Sequence, residues 1–326
     1  MDFSNIVGVI SADLEEVEKE IDDNINSPVP LVYQISKYLL GSGGKRIRPS
    51  VLILSSGACG LENGGNRITS AAALELIHTA SLLHDDVVDD ANLRRGRISS
   101  NRLWGNKASV LVGDFMLARA LGLIQSCGNL ELIRVVTDAA AKLAEGQVLE
   151  VMSGLNMIDV SEEVCFGIIE NKTASLIESC GKVGAILAGA TQEVKETIGE
   201  FCFNLGIAFQ LVDDALDYSA DENEIGKEVG HDLHEKKMTL PLAYALRDAT
   251  HGEKSKVMNL LQNNHLNNED LLVILDVVNK YNGVRQTKNA ARIFANKAKK
   301  AILCLPDNNY KKSLDLLADY TVERRK

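Results

Sequence analysis

Two short acidic patterns hold the residues best suited to chemistry in this chain: Asp85-Asp86-Val87-Val88-Asp89 and Asp213-Asp214-Ala215-Leu216-Asp217. They share one spacing, and each ends an apolar run of helical character, Leu74 to Leu83 and Ile207 to Val212. On a helix the first and last aspartate of each pattern lie four apart on one face and repel each other. Aspartate is also a poor helix former, so a run that adds Asp90 to Asp85, Asp86 and Asp89 costs stability unless cations fill the gap. Hard divalent ions do that: Mg²⁺ takes one or two carboxylates and completes its shell with water and substrate phosphates. Two clusters facing each other across a cavity would hold a diphosphate between them. One such pattern alone is more often a solvated acidic face. Two copies, each closing an apolar helix, point to a site.

Basic groups answer these carboxylates. Gly43-Gly44-Lys45-Arg46-Ile47-Arg48-Pro49 runs a glycine turn into a helix that starts near Pro49, where backbone N–H groups and the helix dipole favour phosphate. Lys45, Arg46 and Arg48 add charge-assisted bonds there. Arg94 and Arg95 follow the first cluster, and their planar forks suit phosphate, the alternative being an ion pair back to Asp89 or Asp90. Lys227, Lys236 and Lys237 flank the polar stretch after the second cluster, and Lys172-Thr173 sits in a helical run. Lysines at such places are commonly solvated.

His78 and His84 share a helix with Asp85; His84 is placed to hydrogen-bond a carboxylate, whereas His78 reads as a core or groove histidine. His231 and His234 lack the further ligands zinc would need. Gln210, polar inside an apolar run, is either simply hydrogen-bonded or aims its dipole at a reacting centre.

The elements that position these residues are helices. Five prolines occur, at 28, 30, 49, 241 and 306, with none between Pro49 and Pro241. Apolar spacing of three and four recurs, as at Leu111, Phe115, Ala118 and Leu121, while strand-like alternation is scarce. The pattern predicts helices near 2–26, 31–41, 49–59, 67–90, 98–125, 129–154, 161–190 and 193–219. Further helices are expected near 238–248, 252–264, 268–280, 284–304 and 307–323. Glycines at 41–44, 60–65, 105, 128 and 226–230 mark breaks, and the polar segment 221–237 reads as a loop over a site. No composition step divides the chain, so one all-α domain spanning 1–326 is expected.

At 326 residues with a net charge of −10, the chain has no polybasic surface for nucleic acid, and an anionic substrate must be drawn by local cations against the global field. The six cysteines (59, 127, 165, 180, 202, 304) form no CxxC pair and read as free thiols of a reducing cytosol. The N-terminus has no basic region before it turns acidic, and no uninterrupted apolar run reaches about 18 residues. Neither a signal peptide nor a transmembrane helix is expected, and the location expected is cytoplasmic.

Taken together, GGKRIRP (43–49), LLHDDVVDDANLRRG (82–96), AEGQ (144–147), NKTASL (171–176), FQLVDDALDY (209–218) and GKEVGHDLHEKKMTLPL (226–242) resemble the trans-prenyl diphosphate synthases, in that family's order. The resemblance implies an antiparallel helical bundle around a deep central cavity, a homodimer, and head-to-tail condensation of isopentenyl diphosphate onto an allylic diphosphate. It implies Mg²⁺, three ions with bound diphosphate, held by Asp85, Asp89, Asp213 and Asp217 with support from Asp86 and Asp214. It implies allylic diphosphate contacts from Arg94, Lys172, Lys227 and Lys237, an isopentenyl diphosphate site of Lys45, Arg48, His78 and Arg95, and Thr173 and Gln210 near the allylic cation. The family's usual Glu-Gly-Lys reads Glu235-Lys236-Lys237 here, and spacing to Thr239-Leu240-Pro241 favours Lys237. Ala80 and Ser81, small where short-chain relatives carry a ring, imply a long product near the octaprenyl length; use of that product for quinone side chains and peripheral membrane contact at its release are further expectations of the resemblance. A short-chain farnesyl or geranylgeranyl synthase is the alternative. A terpene cyclase would not need GGKRIRP and Arg95, a non-catalytic heterodimer subunit commonly loses an aspartate cluster, and a carboxylate di-metal protein would want ExxH near the site. Any reach of Arg324, Arg325 or Lys326 into the site is not fixed by pattern.

Overall fold

The computed structural model describes residues 2–156, 161–219, 230–235, 237–262 and 266–324. The protein is all-α, and the only strands among the described residues form one two-stranded ribbon. After a short N-terminal helix and a 3-10 turn come α1 (Ser11–Ile25), α2 (Pro30–Leu40), α3 (Ile47–Ala58) and α4 (Gly65–Val88). The ribbon β1 (Leu93–Arg94) and β2 (Arg97–Ile98) leads to a short helix at Ser100–Trp104, then α5 (Asn106–Ser126) and α6 (Leu130–Asn156). Next, α7 (Glu162–Ile169) passes through a π turn, Glu170–Ala174, into α8 (Ser175–Leu187), followed by α9 (Gln192–Asp217). A single turn at His231–His234 precedes α10 (Leu240–Asp248), α11 (His251–Leu261), α12 (Asn268–Lys280), α13 (Gly283–Ala301) and α14 (Asn309–Glu323).

Two of the predicted helices are subdivided. The one expected over 98–125 breaks at Gly105, whose φ of 83° is left-handed and ends the α-helical path. The ribbon at 93–98 lies where the sequence reading left a link. Its two turn residues, Arg95 (φ 51°) and Gly96 (φ 75°), take the paired positive angles that a tight hairpin needs. The first predicted helix splits at Val7.

Packing follows the apolar stripes. α4 lies against α5, α3 and α1; α8 lies against α3, α6 and α9; and α9 lies along α13. The largest core joins these helices through Leu52, Leu54, Leu74, Leu76, Ile177 and Phe201, each fully buried. Burying a side chain of this size is worth roughly 1.5–3 kcal/mol. A second core lies under α10, α11 and α12. A third, with Cys165, Ile169, Ala174, Ile207 and Leu211, fills the space between the π turn and α9. At Gly206 the two come so close that a Cβ would stand 2.7 Å from the Ala174 Cα.

Among the described residues one helix, α5, is long and apolar enough to cross a membrane by length and composition only, as a core helix can be. Only Asp114 and Arg119 interrupt its interior, so mean hydropathy registers it although no unbroken apolar run does. One side of it packs on α4, while Leu111 and Leu121 remain exposed.

Candidate active site between two aspartate clusters

Both aspartate patterns stand at helix C-termini. Asp85 and Asp86 lie in the last turn of α4 with Asp89 as its C-cap, and Asp213, Asp214 and Asp217 form the last turns of α9. The helix macrodipole puts partial negative charge at this end, so carboxylates there are doubly disfavoured. Asp85, Asp86 and Asp214 are buried; Asp89, Asp213 and Asp217 are partly so.

Each cluster is met by cations. Lys172 Nζ, on the π turn, lies 3.8 Å from Asp85 Oδ2 and 2.5 Å from Glu150 Oε2 on α6. Lys237 Nζ lies 2.8 Å from Asp89 Oδ2 and 2.7 Å from Glu235 Oε2. Arg94 closes on Asp86 Oδ1 through Nε at 2.7 Å and Nη2 at 2.5 Å, so the expected arginine pairing falls on Asp86, while Asp90 pairs with Arg102 at 2.8 Å. Arg324 Nη2, past the end of α14, reaches Asp213 Oδ1 at 2.7 Å and the Phe209 carbonyl at 2.8 Å, its guanidinium stacked on the Phe209 ring. His84 points away from Asp85, towards Asp114 and the Val110 carbonyl, both at 3.3 Å. Lys227, Lys236, Arg325 and Lys326 lie outside the described residues.

Polar side chains order the centre. Thr173 Oγ1 donates to Gln210 Oε1 at 2.8 Å, and Gln210 Nε2 donates to Asp214 Oδ1 at 2.9 Å, one helical turn along α9. The Asp232 backbone N–H donates to Asp217 Oδ2 at 3.1 Å. A cavity of about 130 Å³ opens here, lined by Glu150, Lys172, Thr173, Asp214, Asp232 and Lys237 among others. A larger open groove of about 1120 Å³, beside Glu162, Tyr244 and Arg247, contains neither aspartate cluster.

The electrostatics are those of crowded, desolvated acids. Burial pushes Asp85 up to about 6, against the pull of Lys172 and with help from Asp89. Burial, then repulsion from Asp217, pushes Asp232 to about 7. Asp86, Asp213, Asp214 and Asp217 are also raised, burial being the main cause in each. Glu235 alone falls, to about 2: burial opposes ionisation, but hydrogen bonds and charge from His231 and Lys237 outweigh it.

Beyond the first cluster lies the basic group. Arg46 takes a left-handed φ of 49° before α3 and pairs with Glu18 and with Glu75 Oε1, the latter at 3.0 Å. Arg48 Nε is buried without a partner, and the Lys45 ammonium stands 5.3 Å from the centre of the Tyr320 ring. Arg95, at the ribbon's turn, bonds to the Gly43 carbonyl. Burial, with Arg48 next, holds His78 well below its ordinary value and therefore neutral. Ala80 is buried and Ser81 partly buried on α4, deeper than the aspartates.

Glu150, Asp232 and Glu75 were not singled out in the sequence, Glu235 was named only beside Lys237, and the reach of Arg324, left open there, ends on Asp213. Glu150 had one signal, its place a turn after Gln147 on the face that meets Lys172. The Gln147 side-chain amide is itself buried without a partner, as are Asp86 Oδ2 and Arg324 Nε. Buried polar atoms left open in this way suit a polar ligand.

An all-α bundle that gathers two carboxylate clusters, a cation against each and a separate arginine pocket defines an enzyme of diphosphate chemistry. The chain matches the polyprenyl synthetase family over residues 29–315. It is 39% identical to octaprenyl diphosphate synthase of Escherichia coli (strain K12) over 325 residues, 99% of each chain. It is 40% identical to the octaprenyl diphosphate synthase of Haemophilus influenzae over 324 residues, 99% of this chain and 98% of the other. Among solved structures, a decaprenyl diphosphate synthase from Rhodobacter capsulatus superposes with a TM-score of 0.94 at 35% identity, covering 100% of both chains. A polyprenyl synthase from Caulobacter crescentus, complexed with calcium and isoprenyl diphosphate, gives 0.93 at 34% identity, covering 100% of this chain and 98% of that one. This protein belongs to the polyprenyl synthetase family. It is a prenyltransferase that elongates prenyl chains.

Proposed function

We propose that the chain, acting as one domain over 1–326, condenses isopentenyl diphosphate head-to-tail onto an allylic diphosphate and repeats the step to a long all-trans product near the octaprenyl length. The observation that carries this reading is the pair of clusters, with Lys172 and Lys237 on Asp85 and Asp89 of the first and Arg324 on Asp213 of the second, together with the basic group of Arg46, Arg48 and Arg95. The donor set of Asp85, Asp89, Asp213 and Asp217 is all hard oxygen, and burial raises Asp85, Asp213 and Asp217, so a bound cation would favour their ionised form, which fits Mg²⁺. Bound there, as three ions with the diphosphate, the metal would supply charge neutralisation for the departing group. Asp86 and Asp214 hold Arg94 and Gln210 in place.

In this reading Arg94, Lys172, Lys227 and Lys237 bind the allylic diphosphate, and their positive charge favours its departure from the allylic carbon. Thr173 and Gln210, locked to each other, present oxygen dipoles to the positive carbon. The apolar packing around Ile169, Ala174 and Leu211 keeps water from it. Lys45, Arg48, neutral His78 and Arg95 hold isopentenyl diphosphate so that its double bond meets that carbon. The proton then leaves to the released diphosphate, and no side-chain base is needed.

The active form is a homodimer, a reading supported by exposed Val110, Leu111 and Leu121 on α5 and by Val148 and Met152 on α6. The enzyme works in the cytoplasm, touching the membrane peripherally as product leaves, and the product serves quinone side chains.

Incubating the purified chain with isopentenyl diphosphate, Mg²⁺ and either dimethylallyl or farnesyl diphosphate and sizing the products tests the condensation and its product length. All-trans products of about eight units are expected. A product that stops at farnesyl or geranylgeranyl length would support the short-chain alternative. Cyclised hydrocarbon or no turnover would overturn condensation itself.

A further inference from the structure

One buried carboxylate serves neither aspartate cluster. Glu75 lies on α4 one turn before His78, is 4% exposed, and faces the basic pocket. Its Oε1 accepts from Arg46 Nη1 at 3.0 Å. Three further donors of Arg46 go to Glu18 and to the Leu40 carbonyl, the latter at 3.3 Å, so four of the five guanidinium N–H groups are held by protein groups. Arg46 is therefore a strut between α4 and the start of α3, with Lys45 before it and Arg48 in the first turn of α3 after it, and the backbone is left-handed at Arg46 itself.

Glu75 is also the foremost anion acting on Arg48 and on Arg95. The Arg46 and Arg95 guanidiniums converge over Gly44, where a Cβ would lie 3.1 Å from Arg95 Nη1 and 3.4 Å from Arg46 Nη1. Arginines brought this close repel unless a buried negative charge lies among them.

We propose that Glu75 is a positioning residue for the second diphosphate: it anchors Arg46, so holding Lys45 and the start of α3 with Arg48, and offsets the repulsion that would drive Arg48 and Arg95 apart before the anion arrives. This rests on the assignment of that pocket to isopentenyl diphosphate. Glu75 touches no substrate in this scheme. It keeps the pocket assembled while empty, lowering the reorganisation that binding would otherwise require.

Glu75→Ala, Glu75→Gln and Glu75→Asp enzymes, each with Arg95→Ala as a parallel arm, are compared in the first condensation at saturating Mg²⁺. Glu75→Ala is expected to raise KM for isopentenyl diphosphate at least tenfold, with kcat and the allylic KM within twofold of wild type. Glu75→Gln, which keeps the acceptor but loses the charge, falls between, and Glu75→Asp recovers part of the loss. Calorimetric binding of inorganic pyrophosphate without added metal should weaken in step. A merely structural role would lower melting temperature and kcat while raising both KM values together, and that result overturns the proposal. So does a lowered isopentenyl KM in Glu75→Ala, which would make Glu75 a repulsive neighbour of the substrate. If Glu75→Ala does not fold, the Gln variant and its pyrophosphate affinity decide by the same criteria. If Arg95→Ala leaves the isopentenyl KM unchanged, the pocket assignment itself fails. If Arg95→Ala raises it and Glu75→Ala does not, only the role of Glu75 fails.

Discussion

Asp85 is ill placed for stability in isolation. It is buried, at the negative end of α4, four residues from Asp89, and its carboxyl is raised to about 6. Asp85→Asn should therefore stabilise the metal-free protein at pH 8, on the order of 1–3 kcal/mol by denaturant unfolding, while turnover falls below detection. Added Mg²⁺ should stabilise wild type and leave the variant unmoved. Near-wild-type rates in Asp85→Asn or Asp213→Asn would remove the metal assignment. The same groups set a pH dependence. Asp232 (about 7) and Asp85 (about 6) bind protons in the folded state that the unfolded chain has already released, so their share of stability is lost as pH rises through those values. The raised His231 acts in the same direction. Buried-neutral His78 opposes them below its unfolded value of about 6.5. Metal-free protein should thus melt higher at pH 6.5 than at pH 8, and Mg²⁺, which needs the carboxylates ionised, should shrink or invert that difference. A melting temperature that falls from pH 8 to 6.5 without metal would contradict the burial of these acids.

Elements aim these residues, and the π turn is the clearest case. A regular helix through 170–174 would rotate Lys172 and Thr173 together relative to α9; the wider turn lets Lys172 face Asp85 while Thr173 meets Gln210. It is kept in register by Gly206 and Gly146, against which Ala174 and Lys172 sit without room for a Cβ. Gly206→Ala should cost about 1–3 kcal/mol in urea unfolding and lower kcat disproportionately, because relief must come from the backbone of the turn. A variant with lower stability but unchanged kcat would show that the turn does not govern the catalytic residues. Helix periodicity made α4, α6, α8 and α9 legible in the sequence, and with them the faces that carry the aspartates. The π turn was not legible, because NKTASL has ordinary helical composition and the cause of its widening lies on another helix. The ribbon at 93–98 escaped for a related reason: its strands are two residues each, too short for alternation to register.

At the scale of the molecule, a net charge of −10 must coexist with two anionic substrates. The charges are sorted: acids crowd the ends of α4 and α9, and the arginine pocket lies beyond them, so local fields oppose the global one. Glu75 and Arg324 were illegible because their partners, Arg46 and Asp213, are 29 and 111 residues away in sequence. Product length is the property most dependent on the whole fold. Ala80 lies five residues before Asp85 on α4, roughly 7–8 Å deeper along the helix axis, and Leu74 roughly 16 Å deeper. A chain anchored by its diphosphate at the aspartates must pass Ala80 before it can reach Leu74 or Ile77, both buried in the main core. A small residue at 80 also suits close packing of helices, so size alone does not decide between an open path and a tight contact. Ala80→Phe separates them. On an open path the ring becomes a new floor: the first condensations proceed at wild-type rate, and products shorten to about three or four isoprene units, read by chromatography of the dephosphorylated alcohols. If the residue serves packing only, the ring overpacks the core, stability drops by about 1–3 kcal/mol, and every condensation slows while the distribution of lengths stays where it was.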